Sequence, residues 1–214
     1  MMNSLQRYMC RLFETIRIEN GQPLHLPWHE ERMLKSGFRM MDAGNERVTG
    51  SQVPESWLEL MLRVPENMLT GTVRCKVVYE KEIIEIAFSH YCKYPVRSLK
   101  LLNAGSLDYH MKFCDRKALE ALYAMRGECE EIVIVREGLI TDSSISNLIF
   151  YDGSAWYTPA RPLLEGTCRS RLLAEGRVLE REIRPEDLDQ YQGCKLINAM
   201  REPEEEEMIS VFHR

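Results

Sequence analysis

The sequence predicts an α+β chain organised as two domains. Short alternating apolar runs end at Asn-Gly or Asp-Gly turns, which is the pattern of hairpins. Between them lie amphipathic stretches at helical spacing, several closed by a glycine. The segment Lys93 to Ser106 holds Pro95 and Gly105 and little periodicity, so it reads as the crossing between domains of residues 1–94 and 95–214.

Arg11 to Ile18 alternates as a strand, and Asn20-Gly21 turns it into a short partner over Pro23 to Leu26. Trp28 to Met41 has helical spacing with Pro27 at its start, and Glu55 to Leu62 reads as a second helix. Val73 to Tyr79 and Ile83 to Phe88 are paired strands around a Glu-Lys-Glu turn. In the second half, Arg116 to Arg126 is a helix closed by Gly127. The strand Glu131 to Val135 meets the turn Glu137-Gly138, and the strand Asn147 to Tyr151 turns at Asp152-Gly153 into Ala155 to Thr158. Thr167 to Glu175 is a helix ending at Gly176. Val178 to Ile183 and Lys195 to Met200 are strands, with a short helix starting at Arg184-Pro. The acidic run Glu204 to Glu207 reads as a solvated turn.

With 214 residues, 44% hydrophobic and 29% charged, the chain can bury a real core. A net charge of −5 and scattered basic residues argue against a nucleic-acid partner and an acidic membrane surface. No apolar run of about 18 residues exists, and the first ten residues hold no signal-type apolar region. Seven cysteines, none in C-x-x-C spacing, predict buried free thiols in a reducing, cytoplasmic setting and no metal site.

The densest information lies in Gly138-Leu-Ile-Thr-Asp-Ser-Ser-Ile-Ser-Asn-Leu-Ile-Phe150 and in Leu163-Leu-Glu-Gly-Thr-Cys-Arg169. With Phe13-Glu-Thr-Ile-Arg17, His29-Glu-Glu-Arg-Met33 and Tyr109-His-Met-Lys112, these segments resemble, in the right order, the class IV aminotransferases. Those are fold type IV pyridoxal 5′-phosphate (PLP) enzymes. The likeness covers about residues 11–203 and implies two domains that share the cofactor, with a trimmed N-terminal small domain. It implies a homodimer acting on a small-molecule substrate.

Residue by residue, the resemblance makes Lys112 the catalytic lysine that forms the Schiff base and moves protons, with Lys117 as its nearest rival. Arg32 is the phosphate cation. Asp142 stands where most of the family has glutamate against the pyridine nitrogen; the other reading of Asp142 is a turn cap with Ser143 and Ser144. Ser146 and Asn147 follow it near the phosphate or ring. Leu164 packs on one ring face, Gly166 allows the turn, and the N–H groups of Thr167 and Cys168 hold the phosphate at a helix start. Arg17 and Arg74 are candidate carboxylate binders, with Tyr109 beside the substrate.

Three activities are compatible with this set. The first is a 4-amino-4-deoxychorismate lyase, the branch that Lys195-Leu-Ile-Asn-Ala-Met200 most resembles, in which Lys112 removes a ring proton. The second is an aminotransferase for branched-chain or D-amino acids, and the third is a non-catalytic relative binding a small anion.

Overall fold

The computed structural model describes residues 11–38 and 56–213. The chain divides into two compact units. The first runs to Cys92 and takes back Lys112–Asp115, and the second holds Lys93–Met111 and the chain from Arg116 onward.

The first unit is one antiparallel sheet with helices on one face. Strand β1 (Leu12–Glu19) lies between β2 (Gln22–Pro23) and β3 (Thr72–Tyr79), and β4 (Ile83–His90) closes the order β2-β1-β3-β4. Along β1, Leu12, Glu14, Ile16 and Ile18 are buried while the alternate residues are partly open. That period of two sends one row into the core beneath helix α1 (Leu26–Lys35), whose Leu26 and Met33 are buried. Helix α2 (Trp57–Met61) is capped by the Ser56 hydroxyl, which accepts from the Glu59 N–H at 3.3 Å. The partner of β1 is shorter than its sequence suggested. His25 adopts a left-handed conformation (φ 57°) that turns the chain into α1 at Leu26, two residues earlier than Trp28. The helix also ends at Lys35, short of the expected Met41, because Ser36 and Gly37 (φ 90°) turn the chain away. Met41 itself and the start of the next helix at Glu55 lie outside the described residues, as does Cys10.

The second unit contains two four-stranded sheets. One is ordered β12-β5-β6-β7, with β5 at Ser98–Asn103, β6 at Glu131–Arg136, β7 at Leu139–Ile140 and β12 at Val211–His213. The other is ordered β10-β9-β8-β11, with β8 at Asn147–Tyr151, β9 at Trp156–Pro159, β10 at Leu179–Arg181 and β11 at Gly193–Ile197. Their shared core includes Leu99, Val133, Leu148, Phe150, Leu196 and Ile209. Helix α3 (Lys117–Ala124) precedes β6, and helix α4 (Thr167–Ala174) covers Ile149, Val178 and Ile197 on the far side of the second sheet. The β6–β7 turn places Glu137 (φ 53°) and Gly138 (φ 76°) consecutively at positive φ, as a two-residue hairpin demands.

Three expectations need correction. The supposed crossing Lys93 to Ser106 contains β5, a strand parallel to both β6 and β12. The last predicted strand ends at Ile197, because Asn198 and Arg201 exchange backbone hydrogen bonds (3.2 and 3.0 Å) and fold Ala199 and Met200 into a turn. The acidic run is not wholly solvated: the Glu206 side chain is 8% exposed and pairs with Arg201 at 2.7 Å and Lys93 at 2.9 Å. Among the described residues, no helix is long and apolar enough to cross a membrane.

Candidate active site

In the first unit, the buried row of β1 delivers a carboxylate, Glu14, to the underside of α1. Burial pushes its pKa up, but the Arg32 charge and hydrogen bonds from His29 and Arg32 outweigh burial and hold it at about 2. Arg32 is bidentate on it, Nε donating to Oε1 at 2.8 Å and Nη2 to Oε2 at 2.5 Å. His29 Nδ1 meets Oε2 at 2.7 Å. Burial and the cations Arg32 and Lys112 lower the His29 pKa, against the pull of Glu14. The helical spacing of His29 and Arg32 puts both on the face of α1 that covers the sheet. Arg32 is therefore a guanidinium locked in orientation, with its side chain 13% exposed.

Lys112 also belongs to this unit, although the sequence reading placed it in the second. The reason is backbone pairing: Phe13 N–H donates to the Lys112 carbonyl at 3.0 Å and Cys114 N–H to the Arg11 carbonyl at 2.8 Å. The half-buried ammonium of Lys112 lies 5.0 Å from the centroid of the Phe13 ring. Arg17 and Arg74 face each other directly across β1 and β3, and Arg17 Nε contacts Glu19 at 3.0 Å.

In the second unit, Asp142 follows β7 by two residues, bridges to Asn147 and is shut away from solvent. Burial raises its pKa to about 6, against the lowering effect of the Leu164 N–H and the Asn147 amide. Asn147 Nδ2 donates to Oδ1 at 2.7 Å and the Leu164 N–H to Oδ2 at 2.9 Å. The same Asn147 amide donates to the Leu164 carbonyl at 2.9 Å, so it clamps the strand to the loop before α4. Gly166 leaves room for the Asn147 amide: a Cβ there would lie 1.9 Å from Asn147 Oδ1 and force it to move. Thr167 and Cys168 open α4, and Ser170 is the residue that first donates back, to the Gly166 carbonyl at 2.9 Å. Their N–H groups thus have no intrahelical acceptor. Burial pushes the Cys168 thiol up to about 12, so it stays protonated and only its N–H suits an anion.

Ser146 is buried and its hydroxyl accepts from Asn198 Nδ2 at 2.8 Å, which ties the serine loop to the turn after β11. Tyr109 is buried too, and its hydroxyl accepts from Arg116 Nη1 at 3.0 Å while Arg116 Nη2 donates to the Ser144 carbonyl at 2.8 Å. Sequence reasoning missed four supports. Glu14 and Arg116 are two of them. Glu131 is buried and accepts from the Ser144 hydroxyl at 2.8 Å. Arg169 Nη2 donates to the Pro159 carbonyl (2.9 Å) and Glu180 (2.6 Å), fixing the start of α4.

The donor chemistry fits PLP. In the second unit the fit is a buried carboxylate with only neutral donors, which is where a protonated pyridine nitrogen belongs. In the first unit it is an oriented guanidinium in the same compact unit as a half-buried lysine.

Residues 11–202 match the family model described as amino-transferase class IV. An uncharacterized protein of Haemophilus influenzae is 36% identical over 192 residues, 90% of this chain and 98% of that one. A Haemophilus somnus structure described as a "putative 4-amino-4-deoxychorismate lyase" has 35% identity and a TM-score of 0.75, covering 90% of this chain and 97% of that chain. A Mycobacterium tuberculosis structure described as a "hypothetical aminotransferase" in its PLP-bound form shares the fold, at 18% identity and a TM-score of 0.69 over 95% of this chain and 81% of that chain. The chain belongs to the class IV aminotransferase family, a family of PLP-dependent enzymes.

Proposed function

We propose that this chain is a PLP-dependent 4-amino-4-deoxychorismate lyase, which releases pyruvate and 4-aminobenzoate, the chemistry of folate biosynthesis. The observation that carries the cofactor is Asp142, a buried acid raised to about 6 with no ion pair among the described residues. The likeness to the Haemophilus somnus protein supports the lyase over an aminotransferase.

In this reading, Arg32 and the N–H groups of Thr167 and Cys168 would serve the cofactor phosphate, Asp142 would serve the pyridine nitrogen, and Leu164 would supply an apolar face for the ring. PLP, when bound, supplies an electron sink for the substrate amine carbon skeleton. Lys112 takes the ring proton as the enolpyruvyl C–O bond breaks. The departing enolpyruvate gains a proton and becomes pyruvate, so the substrate's atoms are divided between two products. Aromatisation of the remaining ring drives the step, and the protein's part is to hold geometry and move one proton. Arg17, Arg74 and Tyr109 would orient the substrate. We also propose a cytoplasmic homodimer with two-fold symmetry.

The test is incubation of the PLP-loaded protein with enzymatically made 4-amino-4-deoxychorismate. The expected result is release of 4-aminobenzoate, reduced at least ~10³-fold in Lys112→Ala. Rapid transamination of branched-chain or D-amino acids without 4-aminobenzoate release would replace the lyase by an aminotransferase.

A further inference from the structure

The open face of the first sheet gathers three cations. Directly opposite residues of an antiparallel pair share a face, and the register pairs Phe13 with Val78, Thr15 with Lys76 and Arg17 with Arg74. Arg17, Arg74 and Lys76 therefore stand on one side, opposite the row buried beneath α1. Like charges set across a strand pair are destabilising, so the fold carries a cost here. Arg17 is relieved by Glu19. Lys76 forms no ion pair among the described residues, even though Glu85 of β4 shares its face.

The Lys76 ammonium sits 5.3 Å from the Phe13 centroid, on the same ring that Lys112 approaches to 5.0 Å. The two nitrogens thus lie within about 10 Å of one another, joined by a single aromatic side chain. A substrate amine that displaced Lys112 from PLP would sit beside this ring, and a carboxylate on the Phe13 side would come within reach of Lys76. A lysine suits that task, because its charge rides on a flexible stem and binds as a point charge.

We propose that Lys76 binds a carboxylate of the substrate and makes the site selective for an amine that carries two carboxylates. This rests on the lyase reading, whose substrate has one carboxylate on its ring and one on its enolpyruvyl group. Lys76 is a specificity residue here, and Lys112 keeps the proton chemistry.

The experiment compares PLP-loaded wild type, Lys76→Met and Lys76→Arg. It measures kcat and KM for 4-amino-4-deoxychorismate, the absorbance of bound PLP, and direct binding of 4-aminobenzoate and of pyruvate. Lys76→Met is expected to raise KM roughly tenfold with kcat within about threefold and PLP absorbance unchanged, and Lys76→Arg to recover most of the KM. Binding of one product should weaken in parallel: 4-aminobenzoate if Lys76 holds the ring carboxylate, pyruvate if it holds the enolpyruvyl one. Unchanged KM and unchanged binding of both products would overturn the proposal. So would a loss that falls on PLP absorbance. If wild type releases no 4-aminobenzoate, the lyase reading fails by itself, and the binding of the two products still decides the role of Lys76.

Discussion

Glu14 in the first unit and Asp142 in the second are both carboxylates shut away from solvent, yet their surroundings drive them in opposite directions. Glu14 is held at about 2 because a guanidinium and an imidazole share its oxygens. Burial lifts Asp142 to about 6, because the backbone N–H groups, the Asn147 amide and the Arg169 charge that oppose it do not outweigh it and no ion pair holds it among the described residues. Burial opposes the charge in both, so the charge of the partner decides the outcome. Glu14 is a structural anion that aims a cation. Asp142 is an acid in want of one, and in the proposed function the pyridine nitrogen supplies it.

The largest expected effect of breaking this contrast comes from Glu14→Gln. The amide keeps the shape but removes the counter-charge of Arg32, which should cost about 3–5 kcal/mol of stability. Urea unfolding of the cofactor-free protein measures it, and added PLP should restore part of the loss because its phosphate would then face Arg32. A cost below about 1 kcal/mol would show that Arg32 is solvated rather than clamped.

Next come the opposite pH slopes of the two units. Glu14 has a folded pKa below its ordinary 4.5, so its contribution is complete above pH 4.5 and is lost as pH falls toward 2. His29 acts in the same sense: its folded pKa lies below 6.5, and stability falls as the pH drops beneath that value. Asp142 has a folded pKa above its ordinary 3.8, so its contribution is present below pH 3.8 and is lost as pH rises through 6. Glu131, also raised by burial, adds to that trend. Each of the two main carboxylates amounts to something on the order of 3 kcal/mol. Trp28 and Trp57 report on the first unit and Trp156 on the second, so single-unit tryptophan variants can follow each. Between pH 3.8 and 6 the cofactor-free first unit should gain stability and the second lose it. Parallel slopes would mean that the carboxylates do not control them.

A smaller effect, about 1–3 kcal/mol, is expected for Gly166→Ala, because a Cβ 1.9 Å from Asn147 Oδ1 forces the Asp142 clamp apart. Thermal unfolding checks the stability, and PLP titration should show weaker binding. An alanine variant that binds PLP like wild type would remove Asn147 from the account.

Much of the fold was legible because its signals are local. Asn20-Gly21, Glu137-Gly138 and Asp152-Gly153 mark three turns, and Gly127 and Gly176 mark helix ends at positive φ. Strand β5 was missed because its partners, β6 and β12, lie far along the chain, so no turn announces it. The return of Lys112 to the first unit depends on backbone bonds to β1 and has no side-chain signature. Glu14 had a readable signal that went unused. A carboxylate in the buried row Leu12, Glu14, Ile16, Ile18 demands a partner, and His29 and Arg32 sit one turn apart on the next helix. Lys112 and Asp142 could be named only through the family motif, because neither spacing nor composition separates them from other lysines and acids.

The central claim is that Lys112 is the residue on which PLP is carried. Borohydride reduction of the PLP-loaded protein, followed by digestion and mass mapping, tests it directly. A pyridoxyl label is expected on the peptide that contains Lys112, with none on Lys76 or Lys117 and no label in Lys112→Ala. A label on any other lysine, or its absence from the wild-type protein, would contradict it.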